Sequence, residues 1–193
     1  ALLSLAIAGA LMAPAPAGAA SAYNPETGKT ARYITYDPAL AAADKAATIA
    51  AGLRAPGTIT YDREGVPVIQ AASENDAAYL LGYAHARDRF WEMDFSRRGA
   101  SGTAAELVGA PALANDVQIR TLGLRRAAEA TWTALSAETR GWLKAYADGV
   151  TFWLQNNPLP PEYTPLELTS AAPWSPIDSL VIGKALAFQL SFD

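Results

Sequence analysis

The segment GYAHARDRFWEMDFSRR, residues 82–98, holds side chains whose types and spacing could do chemistry. It contains His85, the single histidine of the sequence, and the carboxylates Asp88 and Glu92 one helical turn apart. Histidine and paired carboxylates are common general acids and bases in enzymes. Arginines lie directly beside these carboxylates, however, so a structural ion network is the favoured interpretation. The lone histidine is likewise expected to be a hydrogen-bonded structural residue.

Other patterns of catalytic residues are absent from the sequence. There is no cysteine, which excludes disulfides, thiolate catalysis and sulfur-ligated metals within these residues, and one histidine cannot form a multi-histidine metal site. No G-x-S-x-G elbow, phosphate-binding loop or dinucleotide fingerprint occurs. Asp62 and Glu64 flank a turn and are expected to be turn residues. The formal net charge of -4 argues against a nucleic-acid partner, because phosphate binding needs a clustered basic face.

The first 20 residues differ in composition from the rest of the chain. An apolar run over residues 1–13 is followed by prolines and then by the small residues Ala17 and Ala19. This is the pattern of a secretory signal and its cleavage site, and the run is too short to span a bilayer. We therefore predict a signal peptide over residues 1–20, a periplasmic or secreted location and no stable membrane insertion. The alternative is an apolar arm that remains docked on the protein.

Residues 21–193 are predicted to form the folded part of the chain, mostly from helices. A loop is expected over residues 21–29 and an alanine-rich helix over residues 39–53. Apolar and polar residues alternate over residues 58–70 around a Glu-Gly turn, which predicts a β-hairpin. Its second strand contains Pro67, so that strand is expected to lie at an edge or to begin there.

A long charged helix is predicted over residues 73–98. Ser73 supplies an N-cap, acidic residues follow in the first turn, and Gly99 is expected to end the helix. The helix mixes aromatic side chains with arginines and carboxylates, and an unpaired buried ion costs several kcal/mol. We therefore expect the helix to be covered on most sides, with its guanidinium groups bonding to a second body.

Two helices are predicted within residues 116–154, after a short helical turn bounded by Gly102 and Gly109. The first covers residues 116–135 and the second begins after Ser136. The side chains expected to point inward are Val117, Leu124 and Ala128 on the first helix, and Trp142, Leu143, Tyr146, Val150 and Trp153 on the second.

A final helix is predicted over residues 175–193, where Ser175 provides a cap and Pro176 the first helical position. It is apolar almost all round, which is typical of a core element. Little sequence remains to cover this helix, and one hairpin does not make a stable sheet. We therefore expect the chain to be one half of a larger folded unit, in which a partner supplies most of the sheet.

The order of these segments resembles the α chain of the penicillin acylase family of N-terminal-nucleophile hydrolases. The resemblance covers YDREGVPVIQAASENDAAYLLGYAHARDRFWEMDFSRRGASGTAAELVG at residues 61–109, followed by TLGLRRAAE and PWSPIDSLVIGKALAFQLS in the same order. It implies an α+β fold, in which a mainly helical α subunit completes a four-layer αββα sandwich with a larger β chain from the same precursor.

The resemblance also implies the chemistry. In this family the precursor cuts itself, and the nucleophile is the N-terminal serine of the β chain, whose own α-amino group is the base. We therefore expect no catalytic residue in this chain, no cofactor for catalysis, and a structural calcium ion bound mainly by the β chain, with its ligands unassigned. The substrate would be a small N-acyl amide. N-acyl-homoserine lactones, penicillin-type β-lactam side chains and other N-acyl amides or lipopeptides remain open.

The same resemblance assigns part of the acyl pocket to the final helix. Through the LAFQLS match, the substrate-binding positions fall on Leu186, Gln189 and Leu190. Leu186 and Leu190 are i, i+4 neighbours and would form one apolar stripe that suits an alkyl chain. Two other interpretations stay open: these leucines are core residues, or the chain is a non-catalytic helical interaction domain of an exported complex.

Overall fold

The computed structural model describes residues 22–24, 29–31, 53–55, 57–61 and 66–191. Strands β1 (Ala22–Asn24) and β2 (Lys29–Ala31) pair antiparallel, with Ala22 opposite Ala31 and Asn24 opposite Lys29. The predicted loop over residues 21–29 is therefore wrong for β1 and for the first residue of β2, because their backbones pair. The predicted helix over residues 39–53 lies outside the described residues except for Leu53, which is not helical.

The predicted β-hairpin is confirmed. Strand β3 (Thr58–Tyr61) pairs antiparallel with β4 (Pro67–Gln70), and Ile59 lies opposite Ile69. Pro67 is the first residue of β4, the position at which a missing backbone N–H is tolerated. The connecting residues 62–65, which include the predicted turn residues Asp62 and Glu64, lie outside the described residues.

The charged helix is α1 (Glu74–Ser101), and it is longer than predicted. The Oγ atom of Ser73 accepts a hydrogen bond from the backbone N–H of Asp76 at 3.1 Å, which confirms the predicted N-cap. The predicted end at Gly99 is wrong, because Gly102 is the residue that adopts a left-handed conformation, with φ of 70°, and it donates to the carbonyl groups of Arg98 and Gly99. Within α1, Arg89 has non-helical angles and marks a kink.

The predicted single helix over residues 116–135 is two helices. A short helix α2 (Ala105–Val108) and a 3-10 turn (Ala110–Ala112) lead into α3 (Leu113–Leu122), and α4 (Leu124–Ala134) follows. Gly123 separates α3 from α4 because its φ of 75° cannot continue a right-handed helix. The three predicted inward positions differ: Val117 is 59% exposed, Leu124 is partly buried, and Ala128 is fully buried.

Two more helices complete the described chain. The Oγ atom of Ser136 caps α5 (Ala137–Asn156), as predicted, and Val150 and Trp153 on this helix are buried. Trp142 was expected to point inward, but it is 38% exposed because it lies on the first turns of α5, beyond the core. The proline-rich segment after α5 contains a 3-10 helix (Pro161–Leu166) and then leads to α6 (Pro176–Gln189), which ends before residue 193.

The main core lies between α1 and α5. It contains Tyr83, Ala86, Phe90, Met93, Leu107, Ala147, Val150, Trp153, Tyr163 and Trp174. A smaller core joins α6 to α4 and to the end of α1 through Ala100, Ala128 and Val181. Although α6 is apolar, its C-terminal part is not covered by the described residues. The described chain is thus mainly helical with two small two-stranded sheets, while the four-layer sandwich stays a prediction.

Candidate functional site

The N-terminal end of α6 is fixed by a capping box. The carboxylate of Asp178 accepts a hydrogen bond from the backbone N–H of Ser175 at 2.8 Å, and the Ser175 Oγ atom accepts one from the Asp178 N–H at 3.3 Å. Just before the helix, Trp174 donates from Nε1 to the hydroxyl of Ser179 at 3.0 Å. Reciprocal capping satisfies N–H groups that the first helical turn leaves free. The start of the helix is therefore held in a defined orientation.

The carboxylate of Asp178 also accepts hydrogen bonds from two arginines on other helices. Arg97 of α1 donates from Nη1 to its Oδ2 atom at 3.3 Å, and Arg125 of α4 donates from Nη1 to its Oδ1 atom at 3.0 Å. Arg97 further donates to the carbonyl groups of Pro173 and Ala172 at 2.9 and 2.7 Å. These hydrogen bonds tie α1 and α4 to the segment that begins α6.

The guanidinium groups of Arg97 and Arg98 thus find partners inside the chain. Arg97 donates to Asp94 at 2.6 Å and lies over the ring of Trp174 at 5.0 Å, while Arg98 donates to Asp94 at 3.2 Å and to Glu106 at 2.6 Å. The expectation that the guanidinium groups of the charged helix bond to a second body is wrong for these two arginines. Carboxylates and carbonyl groups nearby in the fold already satisfy them.

Asp94 is fully buried and accepts a third donor, the hydroxyl of Tyr163, at 2.6 Å. Burial, reinforced by the hydrogen bond to Asp94 and by its charge, raises the pKa of the Tyr163 phenol. Tyr163 is therefore a protonated donor at neutral pH, and it connects the 3-10 segment to α1. Six side chains are joined by these hydrogen bonds into one continuous polar network, which we call the Asp94–Asp178 network. Its members are Asp94, Arg97, Arg98, Arg125, Tyr163 and Asp178.

His85 is hydrogen-bonded, as predicted, and its partner is the phenol of Tyr146 on α5, at 3.0 Å from Nδ1. Burial is the main cause that lowers the pKa of His85, and Arg89 lowers it further, whereas Asp88 opposes the shift. Burial also raises the pKa of Tyr146 to about 12. Both groups are therefore neutral at pH 7, and their contact joins α1 to α5.

Of the two acidic residues beside His85, Asp88 forms an ion pair, in agreement with the structural interpretation. One of its carboxylate oxygens lies 3.6 Å from the Nε atom of Arg87, and the Asp88 side chain is 25% exposed. Partial burial raises the pKa of Asp88, while Arg87 and Arg89 act in the opposite direction. Glu92 is exposed.

The predicted substrate-binding residues lie together at the C-terminal end of α6. Leu186 is 55% exposed and Leu190 is 75% exposed, and the N–H of Leu190 donates to the carbonyl of Leu186 at 3.0 Å. Gln189 lies between them in sequence, is exposed and is the last residue of the helix. Neither leucine is buried by the described residues, so their alternative role as core residues of a larger folded unit stays open. Their contact with substrate stays a prediction.

No group of three or more His, Asp or Glu residues in the described part of the chain could hold a metal ion. Asp193 lies outside that part, and the calcium ion remains a prediction. None of the helices in the described ranges has the length and apolar character that crossing a bilayer requires.

Most of the Asp94–Asp178 network could not be predicted from the sequence. The cap at Ser175 was predicted, whereas the predicted ion network was placed beside Asp88 and Glu92. Tyr163 lies in the proline-rich segment after α5, 69 residues away from Asp94. Only the fold brings these two side chains together.

Comparison with known proteins identifies relatives over most of the described chain. Residues 56–193 match the sequence model of the family described as penicillin amidase. The chain is 40% identical to penicillin acylase 2 proenzyme of a Pseudomonas species over 140 residues, which is 72% of this chain and 18% of that protein. It is 33% identical over 144 residues to the acyl-homoserine lactone acylase QuiP of Pseudomonas aeruginosa, which is 72% of this chain and 17% of that protein. The chain therefore spans less than a fifth of the length of these relatives.

A solved structure gives the same result for the fold. The thermostable penicillin G acylase from Alcaligenes faecalis superposes with a TM-score of 0.65 at 30% sequence identity, covering 70% of this chain and 74% of the matched chain. The arrangement of helices described above is thus one that a solved acylase shares.

Proposed function

The chain belongs to the penicillin amidase family, and from this membership we propose that it is the α subunit of an amidohydrolase that cleaves the acyl amide bond of N-acyl substrates. The named relatives are acylases, which supports this class of reaction. We propose further that the nucleophile is the N-terminal serine of a β chain released by autocatalytic cleavage of a common precursor. The α-amino group of that serine would accept the hydroxyl proton, since a free amine titrates near pH 8.

The structural observation that supports a substrate-binding role best is the construction of α6. Its first turn is fixed by Asp178, which binds both Arg97 and Arg125, whereas its last turn presents Leu186 and Leu190 to solvent. A rigid helix with exposed apolar residues at one end is suited to form one wall of an apolar pocket. Gln189, in the same turn, would contribute a neutral polar group.

We propose aliphatic N-acyl amides as the substrate class, with N-acyl-homoserine lactones and penicillin-type side chains as the two specific candidates. Leucine side chains provide an apolar surface without ring stacking, which suits an alkyl chain. The two named relatives in these comparisons represent both candidates. We also propose a periplasmic or secreted location and a structural calcium ion held mainly by the β chain.

A change of chain-length preference tests the pocket assignment. We expect Leu190→Ala in the complete, processed protein to lower kcat/KM for short acyl chains about tenfold, because one lost buried leucine contact is worth about 1–3 kcal/mol. Turnover of long acyl chains should be unchanged or raised. Hydrolysis is measured over a series of N-acyl-homoserine lactones of increasing chain length and over penicillins with different side chains. Leu113→Ala, which removes a similarly exposed leucine from α3, is the matched control. An identical chain-length profile for Leu190→Ala and the control would contradict the assignment.

The two-chain proposal is tested by denaturing intact-mass analysis of the native protein, followed by N-terminal sequencing of each chain. A second, larger chain that begins with serine is the expected result. A single species of about 20 kDa, close to the calculated 20.3 kDa, would instead support the non-catalytic interaction domain.

A further inference from the structure

A cleft of about 340 Å³ opens beside the junction of α3 and α4, at the end of α1. Six of its lining residues are polar or charged: Ser101, Thr103, Arg120, Arg125, Arg126 and Glu129. Three guanidinium groups therefore face this cleft together with a single carboxylate. The cleft is distinct from the exposed leucines at the C-terminal end of α6, and no step of the proposed hydrolysis uses it.

Two of the arginines are held in place by the fold. Arg125 donates from Nη1 to the hydroxyl of Ser101 at 3.1 Å and to the carboxylate of Asp178 at 3.0 Å. Arg120 donates from Nε to the carbonyl of Gly102 at 2.6 Å. Among the described residues, no acceptor is present for the two terminal nitrogens of Arg120. Arg120 is exposed, so these two nitrogens are open to solvent and accessible to a ligand.

The guanidinium group of Arg126 packs against Gly123. Gly123 has a φ of 75°, and a Cβ atom at this position would overlap the guanidinium group of Arg126. The guanidinium group thus lies against the backbone in the space that a larger residue at position 123 would fill. No described residue accepts a hydrogen bond from it or forms an ion pair with it. Arg126 is exposed, so the N–H donors of its guanidinium group are accessible from solvent at the edge of the cleft.

The backbone around Gly123 adds little net charge. Gly123 is both the C-cap residue of α3 and the N-cap residue of α4, so the negative end of one helix dipole meets the positive end of the other. The first turn of α4 contains no acidic residue, and two of the three arginines belong to that turn. The positive charge of the cleft therefore comes from its side chains.

We propose that this cleft binds a small tetrahedral oxyanion of the phosphate or sulfate type. Guanidinium groups match such oxyanions because their planar forks donate paired hydrogen bonds. Several guanidinium groups around one cleft suit an anion with oxygens on all sides better than a carboxylate, which presents only two. Glu129 forms an ion pair with Arg125, with 3.6 Å between its Oε1 atom and the Nε atom of the arginine, so it competes for that guanidinium group as well as repelling the anion. The proposal does not depend on the acylase activity, since its evidence lies at another site.

The test is isothermal titration calorimetry of the complete, native protein in a chloride buffer, with sodium phosphate as the titrant at constant ionic strength. We expect saturable binding at one site, and we expect Arg126→Ala to weaken it about tenfold or more, as for loss of a charge-assisted hydrogen bond. Arg140→Ala, which removes an arginine from α5 away from the cleft, is the matched control and should leave binding unchanged. Absence of saturable binding, or equal loss in both variants, overturns the proposal. So does equally tight binding of acetate.

A second variant separates binding from folding. Glu129→Gln removes the one carboxylate in the cleft and should tighten phosphate binding about threefold or more, since a nearby like charge disfavours the anion. A partly unfolded protein does not bind its ligand more tightly, so this result cannot arise from damage to the fold. Unchanged or weaker phosphate binding by Glu129→Gln overturns the proposal.

Discussion

Asp94 shows how a single residue organises this chain. Its carboxylate has no exposed surface, and it accepts hydrogen bonds from Arg97, Arg98 and Tyr163. A buried carboxylate is tolerated only when it is paired and its oxygens are bonded, because desolvation costs several kcal/mol. The mixture of charged and aromatic residues in α1 follows from this requirement: the aromatic residues build the core, and the charges neutralise one another within it.

Loss of the Tyr163 hydroxyl should therefore be costly. We expect Tyr163→Phe to lower the free energy of unfolding by about 2 kcal/mol, since a hydrogen bond to a charged group contributes about 1.5–3 kcal/mol. Tyr146→Phe is the matched control: it removes a phenol that bonds only the neutral His85, and we expect a loss of about 1 kcal/mol or less. Urea unfolding followed by tryptophan fluorescence measures both values. Equal losses would show that the charge of Asp94 does not strengthen its bond to Tyr163.

Residue-scale prediction from sequence succeeds where the partners are close along the chain. The caps at Ser73, Ser136 and Ser175 each involve a neighbour three residues away, and all are confirmed. Tyr163 and Arg125 reach their partners through the tertiary fold, and nothing local distinguishes them from surface residues. Their roles could not be predicted without the structure.

At the scale of elements, the contact between α1 and α5 depends on two glycines. A Cβ atom at Gly82 would overlap the carbonyl oxygen of Tyr146, and one at Gly149 would overlap the carbonyl oxygen of Tyr79. The two helix backbones therefore approach each other closely, with one glycine on each helix. This arrangement positions the core aromatic residues of α1 against those of α5.

Gly82→Ala should consequently destabilise the protein. We expect a loss of about 3 kcal/mol in the free energy of unfolding, because the added methyl group forces the two helices apart. Gly99→Ala is the matched control on the same helix: a Cβ atom there meets nothing within 4 Å, so we expect no loss and a gain of up to about 1 kcal/mol from helix propensity. Thermal unfolding monitored by circular dichroism compares them. Similar melting temperatures for the two variants would argue against the close helix contact.

The glycines also explain which element boundaries could be predicted. Cap residues located the starts of α1, α5 and α6 well, because each cap lies within a few residues of the helix that it begins. From the sequence alone, Gly99, Gly102 and Gly123 are equally plausible helix-ending residues. Of these three, Gly102 and Gly123 adopt a positive φ in the structure, and Gly99 does not. The end of α1 and the break between α3 and α4 depend on which glycine adopts a positive φ. Tertiary packing determines which one does so. For the same reason, the predicted inward position of Val117 was wrong.

At the scale of the whole molecule, the described chain has a core of buried aromatic and aliphatic residues, and it leaves the apolar C-terminal end of α6 exposed. The Asp94–Asp178 network satisfies its buried charges internally, so Arg97 and Arg98 of the charged helix need no second body for that purpose. The apolar end of α6 differs, since Leu186 and Leu190 are exposed together. The family and the composition of the final helix were predictable from sequence. The substrate was not, because the chain spans less than a fifth of its relatives and the proposed nucleophile lies in another chain.

The exposed leucines of α6 lead to a prediction about the chain in isolation. Expressed alone, residues 21–193 should form soluble aggregates or precipitate, because exposed apolar surface that a partner normally covers associates with itself. Coexpression with the remainder of the precursor should give a monodisperse complex, and size-exclusion chromatography with light scattering measures both states. Replacing Leu186 and Leu190 with serine should shift the isolated chain toward the monomer, whereas the same replacement of Leu113 and Val117 on α3 serves as a control for exposed apolar residues elsewhere. A monomeric, folded isolated chain would mean that its exposed leucines need no cover, and it would favour the interaction domain over the α subunit.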